Sequence, residues 1–555
     1  MLPRRVGSLA AAGAIAGEQP RFLTQAGFEI FSNRFKFTRD RIWTVPYVAL
    51  ITFLVAGYTY IFFLLKLENL RLMFVIPAGA IFYMFTSEFV RGRTFRMTQP
   101  QGRLVTAFVV IVIFTGAFAI NRGASFNEFQ NFIKMVFLYI LATNAITHPR
   151  QLHITLVLIA LSSTVPAIGA IFNYLTGGPL REGFRAAWIG NFWDSNRFAG
   201  VLAMGLPAHV YAMRESRFPG SRLLFIGTLG LSLAAIVLSG SRGGMLALAA
   251  VCGAGLLVAN RRGLILLAVV AAAGAMFVAA PERILSRWTS ESLTTGTGRT
   301  LIWGNGLRIL LQRPVTGVGI GNFYWATGET YTESARETTR YRGAHNTWLQ
   351  VGAETGLLGL ACFAGLFFTS LLDMRRLWRE GRGGASPAEA DAEGGATSAE
   401  GTRWVGAVAA TIFASLLGMG IGALTVDYGY EWYVYVFIAL AVVLKQLHRD
   451  ALAQQAAGAA AGDAPAAAEA TGSAGAATLT PPPDEWAGAP LAAHPRSAPA
   501  GGERAPTRRQ RQLEIQARRL AARVMAQQDA EMGRGPRGIG AERAGRRFTG
   551  TRLRG

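Results

Sequence analysis

Two apolar runs separated by a glycine-rich turn occupy residues 222–260, which read RLLFIGTLGLSLAAIVLSGSRGGMLALAAVCGAGLLVAN. Neither run contains an acidic residue. A helix of about 20 apolar residues crosses the roughly 30 Å hydrocarbon core of a bilayer, because each residue adds about 1.5 Å. The stretch therefore predicts two adjacent transmembrane helices, with Arg242 at the start of the second helix.

Similar apolar runs recur along the chain, which has 555 residues, of which 51% are hydrophobic and 16% charged. We predict an all-α polytopic membrane protein with about twelve transmembrane helices. The predicted spans lie near residues 43–65, 70–90, 104–120, 128–147, 152–175, 196–213, 222–239, 243–260, 264–280, 345–372, 404–424 and 430–446.

Lysine and arginine set the predicted orientation, because positive charge marks the cytoplasmic ends of membrane helices. With a basic N-terminus inside, the even-numbered turns all carry arginine and fall on the cytoplasmic side, as do both termini. The predicted segments are a basic cytoplasmic segment at 1–42, helices 1–9 at 43–280, an outer, periplasmic loop at 281–344, helices 10–12 at 345–446, and a disordered cytoplasmic tail at 447–555 with a basic helix near 507–527.

The formal net charge of +22 does not indicate nucleic acid, because the arginines cluster beside apolar runs and in the tail. This placement favours contact with the lipid bilayer. Cys252 and Cys362 both lie in apolar runs, so we predict neither a disulfide framework nor a metal site from them.

Several cations fall on the outer face, against the topology rule, and an anionic ligand is one reason for that. Arg185 and Arg242 lie in outer turns, Arg299 lies in the outer loop, and Lys134 lies near the outer end of its helix. Arginine binds phosphate through paired hydrogen bonds. The glycines beside Arg242 would leave room for a phosphate. The alternative is that these cations are simply solvated or reach the interface along the helix.

His345 begins the helix that follows the outer loop, where Asn346 or Thr347 could cap the helix. A helix N-terminus disfavours imidazolium, so the neutral ring could accept a proton as a general base. The alternative is a structural histidine that forms a hydrogen bond at a helix start. Glu354 follows two turns later and could orient an acceptor, or it could pair with a neighbouring helix.

The outer loop also contains two local patterns. Trp303, Leu307, Leu310 and Leu311 recur at helical spacing and predict an amphipathic helix that stops before Pro314. The glycines at 317, 319 and 321 follow no predicted strand, which excludes a dinucleotide-binding motif and favours a turn that folds this helix back on the membrane.

The outer face carries no Asp-x-Asp pair and no histidine or cysteine cluster, so we expect no metal and no cofactor. Arginines and one histidine without a metal fit transfer from a diphosphate leaving group. The arginines would stabilise the departing charge, and the histidine would deprotonate the acceptor.

In these stretches the sequence resembles the O-antigen ligase and O-antigen polymerase family of bacterial integral membrane glycosyltransferases. The matching stretches are GSRGG at 240–244, TGRTLIW at 297–303, PVTGVGIGNF at 314–323 and AHNTWLQVGAETGLLG at 344–359, with a looser likeness at 188–200. The resemblance covers residues 180–375 well, the first spans in topology alone and the termini not at all.

The resemblance implies a glycan donor linked to a polyprenyl lipid through diphosphate, metal-independent inverting transfer, and a site on the outer face of the inner membrane. It carries the family's arginines over to Arg185, Arg242 and Arg299, and its histidine to His345. The acceptor would be a glycan, a lipid or a protein, and ligase and polymerase activity are both open. A transporter with twelve helices, or a membrane scaffold with a basic tail, is the alternative.

Overall fold

The computed structural model of the chain describes residues 42–90, 97, 99–258, 282, 284, 286, 299–329, 343–382 and 395–462. The predicted segment 1–42 apart from its last residue, the predicted span 264–280, most of the loop 281–344 and the predicted basic helix at 507–527 lie outside these residues. Within the described part the regular structure is helical, apart from one isolated bridge between Arg181 and Arg185.

Fourteen α-helices follow one another in the described residues. They are α1 (Val45–Thr59), α2 (Ile61–Leu64), α3 (Leu72–Val90), α4 (Pro100–Gly116), α5 (Arg122–Ala145), α6 (Pro149–Thr176), α7 (Ser195–Glu215), α8 (Pro219–Leu238), α9 (Arg242–Val258), α10 (Arg299–Gln312), α11 (Phe323–Glu329), α12 (Thr347–Arg382), α13 (Gly395–Gly422) and α14 (Trp432–Gly462). Short 3₁₀ helices occupy Glu68–Leu70 and Gly190–Trp193.

Each predicted span except 264–280 coincides with a helix, or with α1 and α2 in the case of 43–65. Among the described residues, four helical segments are long and apolar enough to cross a membrane: Pro149–Thr176, Pro219–Leu238, Thr347–Arg382 and Gly401–Gly422. Shorter apolar helices occupy Val45–Thr59, Leu72–Ser87, Pro100–Gly116 and Arg242–Leu257. The protein is therefore a helical membrane protein, and the count of twelve spans and the orientation of the termini stay predictions.

Helices α12, α13 and α14 extend furthest beyond the predicted limits. Helix α12 continues to Arg382, α13 begins at Gly395, and α14 continues to Gly462. The predicted disordered tail begins at residue 447, whereas residues 447–462 continue α14. The sequence there is rich in alanine, which has the highest helix propensity.

Helix α14 lies at the centre of the bundle. Every residue from Tyr433 to Leu444 is at most 1% exposed. A helix that is apolar on all sides is buried on all sides, and α14 packs against α5, α6, α12 and α13. The residues just before Trp432 therefore reach the middle of one end of the bundle.

Polar contacts join the helices at both ends. At one end, which we call the site end, the Asn121 backbone N–H donates to Asn322 Oδ1 (2.7 Å), and the Asn191 N–H donates to Tyr60 Oη (2.9 Å). At the opposite end, Asp373 Oδ2 accepts from Gln101 Nε2 (2.8 Å) and Lys445 Nζ (2.7 Å).

Helix α12 is interrupted at Gly356, whose backbone has φ 71° and ψ −177°. Pro314 O accepts from the Leu357 N–H at 2.7 Å, and Glu354 O accepts from the Gly319 N–H at 2.9 Å. The segment 314–322 thus docks on the kinked start of α12. The glycines at 317, 319 and 321 all have positive φ, as a tight turn requires.

Gly356→Ala should destabilise the protein, because this backbone region is open essentially to glycine alone and costs other residues about 1–3 kcal/mol. A Cβ at Gly356 would also lie 2.5 Å from Val315 O. Gly253→Ala is the control, since its Cβ meets nothing within 4 Å. We expect a lower thermal midpoint in detergent for Gly356→Ala alone, and equal midpoints for the two variants would contradict the strain argument.

Candidate active site at one end of the helix bundle

His345 lies in a strained left-handed backbone conformation, with φ 46°. This conformation costs a non-glycine residue about 1–2 kcal/mol. Both neighbours are fixed: Trp303 Nε1 donates to Ala344 O (3.1 Å), and the Asn346 N–H donates to Asp427 Oδ1 (3.0 Å). Strained residues held in this way cluster at functional sites, which supports a role for the imidazole.

The start of α12 follows the prediction, because Asn346 Oδ1 accepts from the Leu349 N–H at 3.1 Å and caps the helix. Thr347 then links α12 to the turn between α13 and α14. Its N–H donates to Ala423 O (2.7 Å), its hydroxyl donates to Val426 O (2.7 Å), and its oxygen accepts from the Tyr428 N–H (2.7 Å). These bonds bring the acidic turn 425–431 to His345.

The start of α7 lies beside the same turn. Asp194 caps α7 by accepting from the N–H groups of Asn196 (2.8 Å) and Arg197 (3.0 Å). Arg197 Nη1 lies 2.8 Å from Glu431 Oε1. This ion pair joins α7 to the residue that precedes the central helix.

The carboxyl of Asp194 is electrostatically coupled to His345. Burial acts to raise the pKa of Asp194, but the Arg197 backbone N–H, the charges of Arg197 and His345 and the Asn196 N–H hold it below its usual value. Asp194 is therefore a carboxylate at neutral pH.

Arg185 is buried, and its guanidinium binds protein groups. Nε donates to Ser239 O (2.8 Å), Nη1 to Glu182 Oε1 (3.1 Å) and Nη2 to Asn196 Oδ1 (2.9 Å). Arg185 thus joins the loop before α7 to the end of α8 and the first turn of α7. These contacts favour a positioning role over the direct diphosphate binding that the sequence predicts.

Arg242 is the first residue of α9, as predicted, and is partly exposed. Its guanidinium makes no hydrogen bond or ion pair within the described part of the chain, which leaves it able to bind an anion. The flanking glycines serve packing and do not leave room for a phosphate: a Cβ at Gly243 would lie 2.2 Å from Thr425 Oγ1, and one at Gly244 would lie 2.3 Å from Ala199 Cβ.

Arg299 is the first residue of α10 and is partly buried. Trp303, four residues later on the same helix, donates to Ala344 O beside His345. Helix α10 therefore ties the position of Arg299 to that of His345. The predicted cap Thr297 lies outside the described residues.

Glu354 is 1% exposed and contacts the glycine-rich turn. Its Oε1 accepts from the Phe323 N–H (3.0 Å), and its Oε2 is buried without a hydrogen-bond partner among the described residues. The carboxylate therefore lies at the N-terminus of α11. This agrees with pairing to a neighbouring helix, and the contacts give no support for a role in orienting an acceptor.

Lys134 donates to Asn131 Oδ1 at 3.1 Å and lies in the electrostatic field of Arg71 and Glu128. No contact given by the described residues joins Lys134 to His345. The structure thus brings together His345, the start of α7 and the acidic turn. Lys134 makes no contact with His345 among the described residues.

Four residues of this group are missing from the sequence prediction: Asp194, Arg197, Asp427 and Glu431. Asp194 carries a usable signal, since an aspartate a few residues before an apolar run is typical of a helix cap. Asp427 and Glu431 are acidic residues in a short outer turn. Their pairing with α7 and α12 joins positions more than 80 residues apart in the chain and has no local signal.

The fold and this site define a helical membrane protein whose polar centre lies at one end of the bundle. Residues 227–364 match the family model described as O-antigen ligase. The chain is also 31% identical over 114 residues to the exopolysaccharide production protein ExoQ of Rhizobium meliloti (strain 1021), a match that covers 19% of this chain and 25% of that protein. These matches agree with the resemblance to the O-antigen ligase family that the motifs predict. The matched range 227–364 contains Arg242, Arg299, His345 and Glu354.

Glu354 offers a matched test of the turn. Glu354→Ala leaves the buried Phe323 N–H without its acceptor, which costs about 1–3 kcal/mol, and should lower the thermal midpoint in detergent. Glu354→Gln retains an oxygen for that N–H, so its midpoint should stay near that of the parent protein. Equal losses in both variants would show that the charge matters more than the hydrogen bond.

Proposed function

We propose that the protein transfers a glycan from a polyprenyl diphosphate to an acceptor hydroxyl at the periplasmic face of the bacterial inner membrane. It would thus act as an O-antigen or exopolysaccharide ligase or polymerase. The match of residues 227–364 to the O-antigen ligase family model and the helical membrane fold support this proposal. The observation that carries it is His345, held in a strained conformation beside Asp194 and between two fixed neighbours.

His345 serves as the general base. The acceptor oxygen attacks the anomeric carbon of the donor sugar, and its proton passes to the imidazole. The bond from that carbon to the diphosphate oxygen breaks, its electron pair leaves with the diphosphate, and attack from the opposite face inverts the anomeric centre. The Asp194 carboxylate favours the imidazolium that forms, because opposite charges nearby stabilise the protonated ring.

The departing diphosphate needs positive charge. Arg242 is suited to this role because its guanidinium has no other partner within the described part of the chain. Arg299, at the start of α10, is the second candidate, since α10 also holds the segment of His345. Preorganised cations stabilise charge that develops in the transition state. In this proposal Arg185 holds the start of α7 in place, and the transfer is metal-independent.

The choice between ligase and polymerase depends on the acceptor. The likeness to ExoQ, which is named as an exopolysaccharide production protein, favours a growing polysaccharide as the acceptor. A ligase would instead attach a finished chain to a lipid or a protein. Analysis of the lipid-linked glycan that accumulates in a deletion strain, and of the molecule that lacks it, separates the two. Unchanged surface glycan in that strain would contradict both.

His345→Asn and His345→Gly separate chemistry from backbone strain, because asparagine and glycine accept the left-handed conformation. Both variants should be folded, with thermal midpoints equal to or above that of the parent protein. Transfer should fall about 10²–10⁴-fold, since both variants lack the imidazole base. The measurement is polymer formation by membranes of the complemented deletion strain.

His448→Gln is the control for this experiment, because His448 lies near Glu380, at the opposite end of the bundle from His345. It should retain transfer activity. Full transfer by His345→Asn would show that the residue has a conformational role alone.

Arg242→Gln and Arg185→Gln should behave differently. Arg242→Gln should lower transfer about 10²–10³-fold with an unchanged thermal midpoint, because it removes a cation from the leaving group. Arg185→Gln should lower the midpoint, because three hydrogen bonds from a buried charge each contribute about 1.5–3 kcal/mol. The two measurements are polymer formation and melting in detergent. A stable but inactive Arg185→Gln variant would instead support direct binding of the diphosphate by Arg185.

A further inference from the structure

Helix α10 is apolar on two faces. One face carries Ile302, Gly306, Ile309 and Leu310 and packs into a small core with Phe323 and Ala353. The other face is exposed and carries Leu301, Leu307 and Leu311, which lie within about 120° of one another on a helical wheel. The predicted amphipathic stripe therefore spans both faces: Leu310 is buried, and Leu307 and Leu311 are exposed.

The exposed face continues beyond the helix. Leu301, Leu307, Leu311 and Val315 are 52%, 51%, 70% and 57% exposed. We call these four residues the α10 apolar face. Single exposed leucines are normal, but a contiguous set on a short outer segment marks an interaction surface.

The α10 apolar face joins the side of a membrane helix. Pro314 O accepts from the Leu357 N–H at 2.7 Å, which places Val315 beside α12. Leu357 and Leu358 of α12 are 53% and 58% exposed, and α12 is long and apolar enough to cross a membrane. Exposed leucines on such a helix face lipid, so the α10 apolar face continues a lipid-facing surface.

The polar and aromatic neighbours of this face are those of an interfacial helix. Arg308 and Arg313 are exposed beside the leucines. Tyr324 and Trp325 of the adjacent α11 are also exposed. Leucines flanked by arginine are typical of helices that lie in the headgroup region, and tyrosine and tryptophan are enriched there.

We propose that α10 lies in the outer leaflet of the membrane, with Leu301, Leu307, Leu311 and Val315 among the acyl chains and Arg308 and Arg313 at the lipid phosphates. A second copy of the chain is a poorer occupant, because a symmetric contact through this face would bring Arg308 of each copy near the other. The lipid contact does not depend on the reaction.

The contact has one consequence that rests on the proposed function. Trp303 of α10 donates to Ala344 O, next to His345. The depth of α10 in the leaflet therefore sets the depth of His345 relative to the bilayer. In the proposed function this depth matches that of the diphosphate of the lipid-linked donor.

Spin labels test the lipid contact directly. Cysteine is introduced singly at Leu307 and Leu311 in a chain whose Cys252 and Cys362 are replaced by alanine, and the labelled protein is placed in lipid nanodiscs. Leu358→Cys on α12 is the lipid-facing reference. Arg181→Cys, an exposed residue of the loop before α7, is the water-facing reference. Power saturation compares collision with oxygen, which concentrates in lipid, and with a water-soluble nickel chelate.

We expect the labels at Leu307 and Leu311 to resemble the Leu358 label, with high oxygen and low nickel accessibility. Labels that resemble the Arg181 label would overturn the proposal in favour of a water-exposed face. Labels shielded from both reagents would overturn it in favour of protein cover, and spin–spin broadening would identify that cover as a second copy. Loss of transfer in a His345 variant with unchanged label accessibility would leave the lipid contact intact.

Discussion

The hydrogen bonds of Thr347 are the constraint on which the site depends. Through its N–H and its hydroxyl, this residue joins the start of α12 to the turn before the central helix α14. In an apolar surrounding such bonds are strong, because unpaired polar groups there have no water to replace the partner. Within this turn, Asp427 accepts a hydrogen bond from the Asn346 backbone N–H, and Glu431 forms an ion pair with Arg197. One residue therefore couples the position of His345 to the most buried helix of the bundle.

Much of the bundle could be predicted from the sequence, because an apolar run of sufficient length has few alternatives to a membrane helix. The runs at 222–239 and 243–260 became α8 and α9 with ends displaced by at most three residues. Helix α14 continues beyond its apolar run at 450–462, where the alanine-rich sequence has high helix propensity, and hydropathy alone does not report that extension.

The site was predicted in part. His345 and Arg242 stand out locally, one as a histidine before a helix and the other as a cation at a helix start. The buried state of Arg185 has no such signal, because its partners Ser239 and Asn196 lie on other elements and become neighbours only when α7 and α8 pack. The same holds for the two faces of α10. Periodicity identified an amphipathic helix, but which leucines are covered depends on where Phe323 and Ala353 pack.

The left-handed residues of the outer segment support a chemical role for His345. Four of the positions with positive φ are occupied by glycine, which has no Cβ to strain the backbone: Gly317, Gly319, Gly321 and Gly356. At residue 345 the chain adopts the same kind of conformation with an imidazole. Glycine there would lower the strain without disturbing the bonds of Ala344, Asn346 and Thr347, which use backbone groups or other side chains. A fold that needed residue 345 for the turn alone would be more stable with glycine. The presence of histidine at this strained position therefore supports the proposed chemical role of its ring.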